Sequence, residues 1–548
     1  MKAFKLTIVL ILFVLAVNAQ DKLPTIKSNA NVISIQDGDE FRKNVWTLAP
    51  DAKPDIYQTS VKKGAKKKVT FITDLDNISF EVEAGKTYDF IIQKGDAICY
   101  TQIKADELKF WNDPDFWESP ALKTLYKPNI SDAEKIAGLS KFWSEVKYNF
   151  VNFHLVQDLD WDKTYLEFIP KVLATNSTLE YYKVLMELCA KLGDAHTNIY
   201  LPNELSNEFY ARPLVRSRLI EGKVLIIGVY DESIKQNGIA EGQEILEIDG
   251  MPVKRYAEKY VKPYQSASTP QDLQTRMFEY ALFSGSIKSP INLTLRTSKG
   301  TLLKRTISRV TSEERSKKLP APPPMEFRML PQNIAYITIN TFNNSVPADL
   351  FAEKFAEISK ADAIIFDVRN NGGGNSGVGD RIFSFLTDKP FSGSNWFTRE
   401  YHPAFRAWGR TDKAFGSAPD DASISLDEVK AKRGLDVQPF LKPVVVLSSS
   451  RTFSAAEDFL ANFKSTKRGL VIGEASGGST GQPLFFTLPG GGSARVCAKH
   501  DTLSDGTEFV GVGIIPDVLA KPKVSDFTEG TDAVLEIALQ ELAKSFEN

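Results

Sequence analysis

The strongest constraint on this chain is an alternation in its C-terminal half, where apolar strand-length runs each lead into a polar turn and then a helical period. Ile334–Ile339, Ala363–Val368 and Val444–Leu447 are such runs, and a helical pattern follows each, the first from Pro347. Strands separated by helices join through crossovers, so they predict a largely parallel sheet covered on both faces. A chain of 548 residues is too long for a single core and predicts several domains. With 42% hydrophobic and 25% charged residues, the composition is that of a globular protein. A formal net charge of −2 without a long basic run argues against nucleic-acid binding, which needs a concentrated positive face. Cys99, Cys189 and Cys497 lie far apart with no CxxC, which supports neither a disulfide framework nor a zinc knuckle.

Lys2 and Lys5 precede an apolar stretch from Leu6 to Val17, shorter than the roughly 20 residues that span a bilayer. It ends in Val17-Asn18-Ala19, residues suited to signal peptidase, so residues 1–19 read as a cleaved secretory signal. No Cys follows the cut to suggest a lipid anchor, and no later stretch is apolar and long enough to cross a membrane. The expectation is an exported, soluble bacterial protein, periplasmic, at the cell surface or secreted.

Residues 20–125 alternate, as in Val69–Ile72, Ile78–Val82 and Tyr88–Ile92, and predict a small N-terminal β domain. Residues 126–205 turn helical, with Ile136, Leu139, Trp143, Val146 and Phe150 on one face. Residues 210–312 form a mixed domain in which Thr269-Pro270-Gln271-Asp272 opens a helix with a capping Thr and Pro in the first turn. Its Gly238-Ile239-Ala240-Glu241-Gly242-Gln243-Glu244-Ile245-Leu246-Glu247-Ile248-Asp249-Gly250 string resembles a PDZ domain, with Gln243 in the Asp place. That resemblance implies capture of extended peptide ends. Residues 313–325, with Pro320-Ala321-Pro322-Pro323-Pro324, read as a semi-rigid linker. Residues 326–530 form the α/β core and 531–548 a C-terminal helix.

Two strand-to-helix turns carry the candidate chemistry. The first, Asp367-Val368-Arg369-Asn370-Asn371-Gly372-Gly373-Gly374-Asn375-Ser376-Gly377, fits a dinucleotide-binding string only literally. No second strand ending in an acid follows, and no Gly-Lys-Ser/Thr exists for a P-loop. Its glycines either point main-chain N–H groups into a cleft, where they hold an oxyanion, or simply make a tight turn. The second turn, Ser448-Ser449-Ser450-Arg451-Thr452-Phe453-Ser454, enters a helix beginning Ala455-Ala456-Glu457. Ser454-x-x-Glu457 is a capping box, and the same placement puts a serine hydroxyl beside free helix N–H groups. Both readings stay open on the residues alone. A serine nucleophile needs a base. Of four histidines, His196 sits in a loop after a Gly-marked helix end, His154 lies beside a helical aromatic, and His402 and His500 fall in polar loops.

Taken together, Asp367-x-Arg369-x-Asn371-Gly372-Gly373-Gly374, Ser454-Ala455-x-Glu457, Gly473-Glu474 with Gly477-Gly478, and Asp505-Gly506 ahead of Gly513-Ile514-Ile515-Pro516-Asp517 resemble the C-terminal processing (tail-specific) serine peptidases. The resemblance runs from about Ser131 to Val518. It implies a multidomain α/β protein with a crotonase-like core and Ser454 as nucleophile. It further implies an oxyanion hole from the N–H groups of Ala455 and Gly373, and a substrate cleft at Gly372, Gly374, Gly477 and Gly478. Many members carry a base Lys after Gly-Glu; Gly473-Glu474-Ala475-Ser476-Gly477-Gly478-Ser479 has none. Leu192-Gly193-Asp194-Ala195-His196-Thr197 is similar to the tricorn-like branch, which implies His196 as base with a distant Glu, here Glu508 in preference to Glu474. In that branch a Ser precedes the His, where this chain has Ala195. The resemblance implies polypeptide substrates and no cofactor or metal. A retinoid-binding relative of the same core leaves a second expectation: a catalytically inactive protein for peptide capture or apolar-ligand carriage.

Overall fold

Every residue of strands Ala363–Asp367 and Val444–Ser448 is buried, as a strand flanked on both sides and covered on both faces must be. They form the centre of a six-stranded sheet in the order Met325–Leu330, Ile334–Ile339, Ala363–Asp367, Val444–Ser448, Leu470–Gly473, Val518–Leu519. The first pair is antiparallel and the remaining pairs are parallel. Helices Val346–Ile358, Ser376–Ser384 and Ala455–Thr466 pack Phe351, Phe383 and Phe459 against one face. Helix Ala533–Glu547 lays Val534, Ala538 and Leu542 on the other. The turns that follow Asp367 and Ser448 therefore emerge at the carboxyl ends of parallel strands, where crossover loops leave a crevice.

The computed structural model describes residues 117–420 and 423–547, together with the backbone of seven strands between residues 25 and 94. The chain divides into two compact units, 1–113 and 114–548. In the first, one sheet orders Thr25–Ser28, Thr87–Lys94, Asp55–Ser60, and another orders Glu40–Arg42, Val32–Asp37, Lys67–Thr73, Asn77–Val82. The predicted signal at 1–19 and Cys99 lie outside the described residues.

In the second unit, helices Asp132–Asn149, Trp161–Leu173 and Thr178–Ala190 start at the side-chain caps Ser131, Asp160 and Ser177. An antiparallel sheet follows, ordered Leu302–Ile307, Ile291–Arg296, Glu244–Ile248, Lys223–Val229, Val215–Ile220. Helix Pro270–Thr275 begins at Thr269, whose side chain accepts from the Asp272 N–H, as the spacing predicts. The linker reading of 313–325 needs correction. Ser312–Lys318 is a helix capped by Thr311, and the Asn340 main-chain and side-chain N–H groups donate to Pro324 and Pro323 carbonyls at 3.0 and 2.8 Å. Acidic Glu313 and Glu314 in its first turn and basic residues in its last suit the helix dipole, a local signal outweighed by the prolines that follow.

One short strand brings distant segments together. Asn198–Tyr200 pairs with Ser493–Cys497, which pairs in turn with Pro483–Thr487. Because His196 lies two residues before that strand, the pairing delivers it from the helical segment to the core. Among the described residues no helix is long and apolar enough to cross a membrane.

Candidate active site

Strand Val444–Ser448 ends in a turn that reaches Ser454 with φ 55° and ψ −130°, a backbone conformation outside the regions open to ordinary residues. Such a turn raises a serine hydroxyl off the end of the sheet. The Oγ lies 3.1 Å from His196 Nε2. The Glu457 N–H donates to the Ser454 carbonyl at 2.6 Å, and the hydroxyl stands in a capping box and also meets the histidine. The reciprocal half of the capping box is a hydrogen bond from the Ser454 N–H to Glu457 Oε2 at 3.1 Å.

Glu457 does far more than cap. It is wholly buried and also accepts from Ser476 Oγ at 2.6 Å, Gly478 N–H at 2.7 Å and Ser479 N–H at 2.9 Å. Burial pushes its carboxyl up to about 7. With two donors on each oxygen, however, the arrangement is built for the ionised carboxylate. Glu457 thus pins loop 476–479 to the start of helix Ala455–Thr466.

That loop supplies what faces the far side of the histidine. His196 Nδ1 lies 2.8 Å from Ser479 Oγ, a hydroxyl where the tricorn-like resemblance implies help from a carboxylate. His196 is 4% exposed and its ring stacks on Phe453 at 5.0 Å and 10°. Burial drives its imidazole down to about 3, and Arg495, Arg276 and Lys499 act in the same direction. The ring is neutral at ordinary pH. With Nδ1–H donating to Ser479, Nε2 is free to accept from Ser454.

The helix at Pro270–Thr275 is docked on this machinery. Thr269 Oγ1 donates to the Gly477 carbonyl at 2.8 Å, and Gln271 Nε2 donates to the Ser476 and Val512 carbonyls at 3.0 and 2.7 Å. Ser268 Oγ accepts from the Ala195 N–H at 2.9 Å. The Arg276 guanidinium lies over Phe453 at 5.6 Å, on the ring that also stacks with His196.

The glycine turn after strand Ala363–Asp367 meets the turn that carries Ser454 at Gly373. A Cβ added there would stand 2.7 Å from Ser454 Cβ and 2.9 Å from the Ala455 nitrogen, and φ is +96°. The two turns can approach this closely only because residue 373 has no side chain. The Ala455 N–H heads the helix and has no hydrogen-bond partner among the described residues. The Gly373 N–H differs from expectation: it donates to Asn371 Oδ1 at 2.9 Å, so it is engaged rather than aimed at an oxyanion. The remaining glycines also differ from the expected cleft wall. Gly372 is open, with nothing near an added Cβ, while Gly374 bridges Phe342. Gly477 packs on the Phe453 ring and Gly478 on Thr269 and Gly513, both buried. They allow close packing of the loop rather than line an opening.

Glu508 does not reach His196. Its Oε2 lies 2.7 Å from Nε2 of His500, which is buried in strand Lys499–Leu503 rather than in a polar loop. Glu474 makes no hydrogen bond to His196 either; its carbonyl accepts from Ser448 Oγ, and burial raises its carboxyl. The Asp367-x-Arg369 motif is an ion-pair assembly. Arg369 Nη2 contacts Asp367 at 2.6 Å and Asp532 at 2.7 Å, and despite burial the guanidinium holds the Asp367 carboxyl below its usual range. The sequence reading missed Ser479, the Glu457 hub and the docked helix. For Ser479 the available signal was a hydroxyl in the loop that lacks lysine.

A serine on a strained strand-to-helix turn, facing a buried neutral histidine, is the arrangement of a nucleophile and its base. Residues 333–520 match the family model described as Peptidase family S41. The chain is 27% identical over 199 residues to the chloroplastic C-terminal processing peptidase of Tetradesmus obliquus, an alignment spanning 35% of this chain and 36% of that protein. Among solved structures it is similar to mature CPAF complexed with lactacystin, with TM-score 0.58, 14% identity, and coverage of 76% of this chain and 98% of that one. A second structure of mature CPAF gives TM-score 0.55 at 15% identity over 72% and 94% of the two chains. These structural likenesses are likenesses of fold.

Proposed function

We propose that this chain is a serine peptidase that cleaves unstructured or C-terminal polypeptide segments through an acyl-enzyme on Ser454. The observation that carries the reading is the contact of 3.1 Å between Ser454 Oγ and His196 Nε2, made by two residues 258 apart in the chain. His196 takes the hydroxyl proton as Ser454 attacks the peptide carbonyl, and returns it to the leaving amine. The Ala455 N–H stabilises the oxyanion at the helix start, where the dipole favours negative charge. Water then attacks the ester with His196 again as base, which releases the acid product and frees Ser454.

The absence of a lysine after Gly473-Glu474 and the presence of His196 favour a tricorn-like Ser–His site on a crotonase-like core. The antiparallel sheet and helix over 210–312 fit a PDZ-like domain that presents a peptide end, and the apolar segment at 6–17 fits export. The test is digestion of an unfolded protein by the wild type, Ser454→Ala and His196→Ala. The proposal expects cleavage by wild type alone. Cleavage that survives His196→Ala would move the base elsewhere, and no cleavage by any folded form would favour the inactive binding protein.

A further inference from the structure

His196 has its ring held by Ser479, yet its main chain is held by a separate and deeply buried assembly. The His196 N–H donates to Asp194 Oδ1 at 3.0 Å, and Asp194 Oδ2 accepts from Asn152 Nδ2 at 2.9 Å. Asn152 Oδ1 lies 2.7 Å from His500 Nδ1, and His500 Nε2 lies 2.7 Å from Glu508 Oε2. Asp194, Asn152 and His500 are each at most 1% exposed, whereas the Glu508 side chain is 53% exposed. Four side chains from four segments therefore connect the surface to the candidate base by hydrogen bonds alone.

Donor and acceptor roles along this chain are fixed by what each atom can do. Every hydrogen bond to the Asp194 carboxylate comes from an N–H or O–H group, from Asn152, His196 and Thr197. Asn152 thus turns its amide N–H₂ to Asp194 and its carbonyl oxygen to His500, so His500 Nδ1 carries a proton. Nε2 then meets Glu508 either as a second donor to a carboxylate or as acceptor from a carboxyl; a proton bridges the two in both cases. The rings of His154 and Phe397 close the site at 4.8 Å each. The same surface loop also supports the ring side of His196, since the Gly511 N–H donates to the Gly478 carbonyl at 2.8 Å, next to Ser479.

We propose that Glu508, His500, Asn152 and Asp194 are positioning residues that hold the main chain of His196 in place from the protein surface. This rests on the proposed peptidase reading for its kinetic consequence but not for its structural one. Glu508 serves the histidine at a distance, through His500, rather than as its direct partner. Loss of the outer contact loosens His196 without touching substrate, so turnover falls and substrate binding does not.

The test compares Glu508→Ala, Glu508→Gln and His500→Phe with Glu400→Ala, a control that removes the carboxylate from the exposed His402–Glu400 pair. Expected is a drop of about tenfold in kcat for Glu508→Ala with KM unchanged. Glu508→Gln keeps an oxygen acceptor for His500 and should recover most of that loss, and Glu400→Ala should change nothing. Imidazole ¹⁵N NMR gives a readout independent of turnover. With four histidines in the chain the spectrum can be assigned by substitution, and the His196 signals should move in Glu508→Ala and in His500→Phe. If His500→Phe does not fold, the half-exposed Glu508 pair still decides. Wild-type kcat and unmoved His196 signals in folded Glu508→Ala would overturn the proposal. If the wild type cleaves nothing, the peptidase reading fails and the NMR comparison alone decides this one.

Discussion

The two strand-to-helix turns of the core lie side by side but handle positive φ in opposite ways. At the first, the strained position is Gly373, φ +96°, where a residue without Cβ adopts the conformation freely and lets the second turn come close. At the second it is Ser454, φ 55°, where a Cβ makes the same half of the map costly by about 1–3 kcal/mol. The supports differ too. Arg369 anchors the first turn by ion pairs to Asp367 and Asp532, whereas the second is tied by Glu457 with four donors, by the Arg451–Glu279 ion pair, and by the Ser449 and Thr452 hydroxyls, which donate to the Arg369 and Val368 carbonyls. A glycine at a strained turn needs only a packing explanation. A serine there, with its hydroxyl 3.1 Å from a histidine nitrogen, needs a further one, and the proposed role as nucleophile supplies it.

The comparison is most directly attacked at Ser454 itself. Ser454→Gly should lower turnover by about 10⁴-fold or more while raising unfolding free energy by about 1 kcal/mol, read from urea midpoints. A variant that loses turnover and also stability would mean that the turn is not strained. Gly373→Ala should do the reverse on stability, with a loss of about 2 kcal/mol and at least about 100-fold in kcat, because the new Cβ collides with Phe453 O, Ser454 Cβ and the Ala455 nitrogen. Wild-type turnover in Gly373→Ala would show that the two turns are not in contact as described.

Smaller effects sharpen the picture. Ser479→Ala removes the acceptor for His196 Nδ1–H and should cut kcat by about tenfold with KM unchanged, measured in steady state. The acid limb of kcat/KM gives a fourth check. A base must be neutral, and His196 gains its proton only far below the ordinary value near 6.5, at about 3. Activity should therefore hold from pH 7 down to about 5, and a limb with its midpoint near 6.5 would contradict the burial of the ring.

Local chemistry in the sequence was enough to place both turns and the capped helix after Thr269, whereas the pairing of Ser454 with His196, residues 258 apart, came from the family resemblance and not from the residues alone. What escaped it depended on pairings between distant segments. Glu508 takes its position from a strand, Lys499–Leu503, whose partner is Ser394–Arg399, and nothing local reveals that this buries His500 against it. Ser479 earns its place only once Glu457 folds loop 476–479 back, and Glu457 itself looks like an ordinary cap from its spacing. The Gly373 N–H was misread because the side chain that captures it, Asn371, lies two residues away in the same turn.

The central claim is that Ser454 is a nucleophile activated by His196, and intact-mass spectrometry after treatment with a fluorophosphonate tests it most directly. The account predicts one adduct on wild type, mapped to Ser454, none on Ser454→Ala, and labelling slowed by at least about 100-fold on His196→Ala. An adduct that persists in folded Ser454→Ala, or forms at the wild-type rate without His196, would contradict it.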